Sequence, residues 1–291
     1  MHPVIFNNFQ MKTILVPTDF SEIARNAARY ALKLATDLQA EKIVFYNACQ
    51  APPLMTENTI PAMPIMDIET IKNISEQGMK VFLEKMQQDN LTGIELEHRT
   101  SFSILANDIN DLSKDVDAGL IVIGITGTSK IEEVLIGSTA ISVVKQTKVP
   151  VIIVPADAKY TSIKNVMFAC DFKRVVETTP LQPIKNILDA TKASLHVVNV
   201  YESDKDITAD KTFQQELLLS MLKEYNPEFH FENNEDFIEG INHFVESHSI
   251  DLIITIPRKH KMFEGLFRER HTKKLAFHSH VPLMYIHQED L

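Results

Sequence analysis

Short unbroken apolar runs alternate along this chain with longer segments in which apolar residues recur at helical spacing. Runs such as "LIVIG" at 120–124 and "VIIV" at 151–154 are continuous rather than alternating, as in strands covered on both faces. The pattern predicts strands at 13–16, 42–48, 94–99, 120–123 and 150–154. It predicts helices at 21–38, 68–90, 103–114 and 139–146. Ser21 followed by Glu22 has the chemistry of a helix start. Strand–helix alternation of this kind makes a parallel sheet with helices on both sides.

The pattern then repeats. "KTILVPTDFS" (12–21) has the shape of "IKNVMFACDFK" (163–173), and Asp19-Phe20 matches Asp171-Phe172. "AGLIVIG" (118–124) resembles "IDLIITI" (250–256), and "KVPVIIVPA" (148–156) resembles "HVPLMYIHQ" (280–288). A repeat this long implies duplicated domains, 1–156 and 157–291, rather than a short-period solenoid. Strands are expected in the second copy at 166–169, 194–200, 228–232, 252–255 and 283–286. The copies are offset by 152 at the Asp-Phe pair but by 132 at the Val-Pro pair, so the first holds about 20 extra residues between them. The proline-rich stretch 50–67 accounts for most of these, as a surface excursion or as a lid over a ligand. Residues 1–10 read as a loose arm.

Composition narrows the classes. Hydrophobic content of 44% and charged content of 23% suit a globular protein with a sizeable core. A net charge of -10 argues against a general binder of nucleic acid or membrane surfaces. No apolar run approaches the roughly 20 residues of a membrane helix, and the N-terminus does not read as a signal peptide. Cys49 and Cys170 make no metal spacing and no disulfide framework, which points to a reducing cytoplasm.

Three of the 8 glycines fall between positions 124 and 137. Gly124 ends a strand, where a loop opens at the carboxyl edge of a parallel sheet and ligands bind. Glycine there lets a ligand approach main-chain N–H groups. Gly137-Ser138-Thr139 opens a helix, whose free N–H donors and positive dipole end attract phosphate. Together they make a phosphate cradle in two pieces. The spacing is neither a P-loop nor G-x-G-x-x-G. Plain structural turns and ordinary helix capping explain the same residues and stay open at this point.

Gly124, Gly127, nine intervening residues, Gly137 and Ser138 reproduce G-x2-G-x9-G-[ST], and in this the chain resembles the universal stress protein family. "ILVPTDFSEIARNAARYALKLA" (14–35) is similar to that family's opening strand and helix. The resemblance spans the chain as a tandem pair, strongly over 12–156 and weakly beyond. It implies two doubly wound α/β domains, each with five parallel strands in the order 3-2-1-4-5. The turn after strand 1 then faces the glycine loop. It further implies that ATP (or AMP or ADP) binds there, with Mg²⁺ on its phosphates. By resemblance, Asp19 accepts hydrogen bonds from ribose or adenine, and Pro17 and Thr18 shape that wall. Ala48 lies along the adenine, and Ile123 adds apolar contact. Gly124, Gly127, Gly137, Ser138 and Thr139 surround the phosphates. Ala140 departs from relatives that carry a hydroxyl there. Each has a plainer reading: Asp19 as a helix-start acid, Ile123 as core, Thr18 as a strand end.

The second copy departs from the motif. Ile256, Lys259, Glu269 and Arg270 replace Gly124, Gly127, Gly137 and Ser138, so this copy is expected to have lost ordinary ATP binding. The basic stretch 257–274 reads as a solvated face, or as a site for another anion or a protein partner. Of 11 histidines nine lie in the second copy, including His271, His278, His280 and His287. Their spacing favours scattered surface histidines, and no metal site is expected. No nucleophile–base pair accompanies the cradle, and Lys130 is its lone cation. The expectation is therefore a nucleotide-dependent regulatory binding protein with an unknown protein client. Its last strands pair within one chain, and a homodimer is compatible with this. A slow ATPase and a nucleotide-free scaffold are the rivals.

Overall fold

The computed structural model describes residues 11–50, 67–125, 138–202, 208–256 and 280–288. The described strands are β1 (Thr13–Pro17), β2 (Lys42–Cys49), β3 (Glu95–Phe102), β4 (Leu120–Ile125), β5 (Val151–Pro155), β6 (Asn165–Ala169), β7 (Ser194–Tyr201), β8 (Glu228–Asn233), β9 (Leu252–Thr255) and β10 (Leu283–Tyr285). The helices are α1 (Glu22–Asp37), α2 (Ile68–Asp89), α3 (Leu105–Asp115), α4 (Ser138–Gln146), α5 (Val175–Thr178), α6 (Leu181–Thr191), α7 (Ala209–Leu222) and α8 (Phe237–Ser247). None of these helices is long and apolar enough to cross a membrane.

All ten strands form one sheet in the order β3-β2-β1-β4-β5-β10-β9-β6-β7-β8. The first five follow the order 3-2-1-4-5, and the second five repeat it from the opposite edge. Every pairing is parallel except β5 with β10, which run antiparallel through Ile153–Leu283, Ile152–Met284 and Val151–Tyr285. Each half would otherwise end in an unpaired edge; joining them leaves β3 and β8 as the edges among the described strands.

Alternate residues of each strand enter opposite cores, as the two-residue period requires. Ile14, Val16, Ile43, Phe45, Leu120 and Val122 pack toward α1 and α2. Leu15, Val44, Tyr46, Ile121 and Ile123 pack with Ile109 of α3 and Val143 of α4. In the second half α6 and α7 join the first layer and α8 the second. The result is a three-layer α/β/α molecule whose inner strands are buried on both faces, while β3 and β8 at the edges are partly exposed.

The backbone records the duplication. Phe20 and Phe172 both adopt positive φ (66° and 51°), as do Gln39 and Lys192 after α1 and α6, and Asp117 and Ser249 before β4 and β9. The halves differ in helix length. α2 has 22 residues where α7 has 14, which accounts for part of the excess in the first half; residues 51–66 lie outside the described residues. α1 runs 16 unbroken residues. Its counterpart is split into α5 and α6, because Thr179 is extended (φ -109°, ψ 101°) ahead of Pro180, as residues before proline tend to be.

The connection between the halves is fastened to α1. Asn26 donates to the carbonyls of Pro155 and Ala158 at 3.2 and 2.9 Å. Tyr160 donates to Asp37 and meets Tyr30 edge-on at 4.9 Å. Ser21 caps α1 by accepting from the Ala24 N–H at 3.2 Å. Ser21→Ala is expected to cost about 1 kcal/mol of stability; a denaturant midpoint equal to wild type would remove that role.

Candidate functional site

β1 and β4 are neighbours in the sheet while their helices leave on opposite faces, which makes their carboxyl ends the switch point of the first half. A cleft of about 280 Å³ opens there, at the small end of the range for ligand sites. Pro17, Thr18 and Asp19 line it from the end of β1, Ala48 and Gln50 from β2, Ile123, Gly124 and Ile125 from β4, and Thr139 and Ala140 from the start of α4. Seven of the ten sequence-predicted site residues thus meet in one cleft. Gly127, Gly137 and the side chain of Ser138 lie outside the described residues.

The turn that carries Asp19 is built by local hydrogen bonds. Phe20 N–H donates to the Thr18 hydroxyl at 3.0 Å, and Ser21 N–H to Asp19 Oδ1 at 3.0 Å. Phe20 takes the left-handed conformation that directs the chain into α1. Asp19 is exposed, whereas Thr18 is buried. Asp19 lines the cleft and is exposed, so its carboxylate is accessible there to an incoming donor. Thr139, exposed in the first turn of α4, adds a hydroxyl near the free N–H groups of that helix.

Sequence reasoning missed what holds this turn. Thr18 N–H donates to the Tyr46 carbonyl at 2.8 Å. Asn47, buried in β2, donates from Nδ2 to the Thr18 carbonyl at 2.7 Å and accepts from the Ser75 hydroxyl of α2 at 2.6 Å. The second half repeats the device: Cys170 N–H bonds the Val198 carbonyl at 2.9 Å, and Asn199 Nδ2 bonds the Cys170 carbonyl at 2.8 Å. The signal was present as an asparagine at the same offset of 152 in both second strands. Tyr46, also in the cleft wall, donates to Asp108 at 2.8 Å and lies 3.1 Å from the Ser103 hydroxyl. Burial pushes the Tyr46 phenol up. For Asp108 burial acts upward too, but hydrogen bonds from Ser103, Tyr46 and Ser101 outweigh it and leave the carboxyl below its ordinary range.

Gly124 has a structural reason of its own. A Cβ there would stand 2.8 Å from both the Ile23 Cγ2 and the Ile23 carbonyl oxygen. The glycine lets the first turn of α1 press directly on β4. Ile23 itself lines the cleft. In the second half Ile256 occupies the position equivalent to Gly124, and its side chain is buried (5% exposed). The other motif positions of that half, like the whole basic stretch 257–274, lie outside the described residues. Of the four histidines considered from sequence, exposed His280 pairs with Asp157 and His287 lies 2.6 Å from the Val144 carbonyl. His271 and His278 lie outside the described residues.

The family model of the universal stress protein family matches residues 11–155. A universal stress protein of Methanocaldococcus jannaschii is 29% identical over 150 residues, covering 51% of this chain and 84% of that protein. One from Synechocystis is 24% identical over 307 residues, covering 94% of this chain and 99% of that protein. The crystal structure of a universal stress protein from Archaeoglobus fulgidus shares the fold over 97% of this chain and 98% of its own, with a TM-score of 0.72 at 23% identity. Residues 11–155 of this chain thus belong to the universal stress protein family, on a fold that extends over both halves.

Proposed function

We propose that the chain is a nucleotide-dependent regulatory protein that binds ATP in the cleft of its first half and is not a dedicated catalyst. Asp19 accepts hydrogen bonds from the ribose or adenine, Ala48 and Ile123 flank the base, and Gly124, Gly127, Gly137, Ser138 and Thr139 surround the phosphates with any accompanying Mg²⁺. The observation that carries this reading is the convergence of Pro17, Thr18, Asp19, Ala48, Ile123, Gly124 and Thr139 on one cleft at the switch point. The residues fit an adenine nucleotide in kind: an apolar wall, an accessible carboxylate and a helix start for the anion. ADP and AMP share the same recognition elements.

Residues 1–156 form the binding domain in this reading, and 157–291 a degenerate partner that has lost ordinary ATP binding. The buried side chain of Ile256 supports that loss. A client protein reads the nucleotide state, provided ATP binds one arrangement of the halves better than another. Cys49 and Cys170, neither of them in a disulfide among the described residues, agree with a cytoplasmic setting. Calorimetric titration with ATP tests the site. Asp19→Ala is expected to bind about tenfold more weakly than wild type, a loss of about 1.4 kcal/mol. An unchanged affinity removes the role given to that carboxylate.

A nucleotide-free scaffold is the second reading, favoured by the packing reason that Gly124 has without any ligand. Extracting the purified protein separates the two: bound ATP, ADP or AMP supports the first.

A further inference from the structure

At the far edge of the sheet, away from the cleft, side chains of β7 and β8 converge. In their register His196 stands opposite Glu228, and His230 lies two residues further along β8, so all three leave the same face. Phe244 of α8 covers that face, its ring 4.8 Å from the His230 ring and 6.0 Å from the His196 ring.

The distances between potential ligand atoms are unusually even. His196 Nδ1 is 3.1 Å from His230 Nε2 and 3.6 Å from Glu228 Oε2, and His230 Nε2 is 3.7 Å from the same oxygen. A centre equidistant from these three atoms lies about 2.0 Å from each, which is the length of a zinc–imidazole or zinc–carboxylate bond. Two imidazoles and one carboxylate suit a borderline divalent metal, whereas calcium and magnesium take oxygen ligands. Burial holds both imidazoles below their ordinary pKa, against the opposing pull of Glu228.

His248, at the end of α8, stands beside the triangle, its ring 5.2 Å from that of His230 and 5.9 Å from that of His196. Its Nδ1 lies 3.2 Å from the Phe244 carbonyl and 2.9 Å from the Ser247 hydroxyl, and the tautomer that donates from Nδ1 to the carbonyl leaves a lone pair on Nε2. The arrangement is graded in exposure: His196 is buried, His230 and His248 are half-buried and Glu228 is exposed. A cation would thus enter past Glu228.

We propose that His196, Glu228 and His230 form a binding site for a divalent first-row transition cation, Zn²⁺ foremost, with the fourth position open to His248 or water. The metal would fasten the outer strand pair to the end of α8 and so stabilise the second half. This site is independent of the nucleotide reading. Its donors come from positions 34 residues apart on two strands, which is why histidine spacing along the chain gives no sign of it.

The test uses the full chain, stripped with a chelator and titrated with Zn²⁺ by calorimetry, with Co²⁺ absorption as the readout of geometry. Wild type is expected to take up Zn²⁺ saturably, to melt at higher temperature with it, and to give tetrahedral Co²⁺ bands. Glu228→Gln, at an exposed position, and His230→Gln should each bind at least tenfold more weakly while melting like wild type without metal. His243→Ala, on the exposed face of α8, should bind as wild type does. Absence of saturable binding leaves a hydrogen-bonded imidazole pair alone and overturns the proposal. Wild-type affinity in both Glu228→Gln and His230→Gln places the metal elsewhere and overturns it equally.

Discussion

Asn47→Ala is expected to lower stability by about 2–4 kcal/mol and to weaken nucleotide binding together with it. The side chain is 7% exposed and links three elements. It sits in β2, donates to the carbonyl of the turn after β1, and accepts from buried Ser75 on α2. Alanine would take a partner from the carbonyl of buried Thr18 and from the hydroxyl of buried Ser75, and each orphan costs about 1–3 kcal/mol. The Thr18–Asp19 turn would also lose the bond that fixes its height above the sheet. Asn199→Ala supplies the control. It removes the equivalent bond to the Cys170 carbonyl, and leaves Lys211 without its 3.3 Å contact to Oδ1. A comparable loss of stability is expected there, with ATP affinity unchanged, since that turn belongs to the other half. Urea unfolding and ATP calorimetry on both variants decide the matter. Unaltered stability in Asn47→Ala, or an equal loss of ATP affinity in both variants, would contradict this account.

The contrast between Asn47 and the strands around it shows what a sequence makes visible. Continuous apolar runs exist because β1, β4 and β5 are buried on both faces, so burial wrote its own pattern and the strand positions could be read within one or two residues. β3 was read as 94–99 but extends to Phe102. As an edge strand it is half-exposed along its length, its apolar pattern is weak, and its last residues are held by backbone pairing to Ala48 and Cys49. The cleft was legible because its residues cluster at strand ends, which topology alone brings together. Asn47 was not, since a lone polar residue in a strand has no spacing to betray its partners. Tyr46 and Ile23 entered the site through contacts between elements far apart in sequence. The histidine–glutamate triangle failed to show for the same reason: parallel register, not local spacing, assembles it.

Gly124→Val is expected to cost about 3 kcal/mol even without ligand, because this glycine serves packing before it serves chemistry. Its φ is not in the left-handed region, so conformational freedom is not the reason for it. Space is: the first added carbon would lie 2.8 Å from a backbone oxygen in the opening turn of α1, and backbone yields only if the helix moves. Moving that turn also moves Ser21 and Asp19, so nucleotide affinity should fall with stability. The second half shows the alternative solution. There Ile256 fills the position, Val175 stands where Ile23 does, both belong to the same apolar core, and the long first helix is broken into the four residues of α5 and the eleven of α6. In this chain, then, the half with glycine at the end of strand 4 has an unbroken first helix pressed against it, and the half with isoleucine there does not. Thermal unfolding of Gly124→Val and Gly124→Ala in nucleotide-free buffer measures the packing part by itself. Wild-type stability in both, with only ATP binding lost, would show that the glycine exists for the phosphate and not for α1.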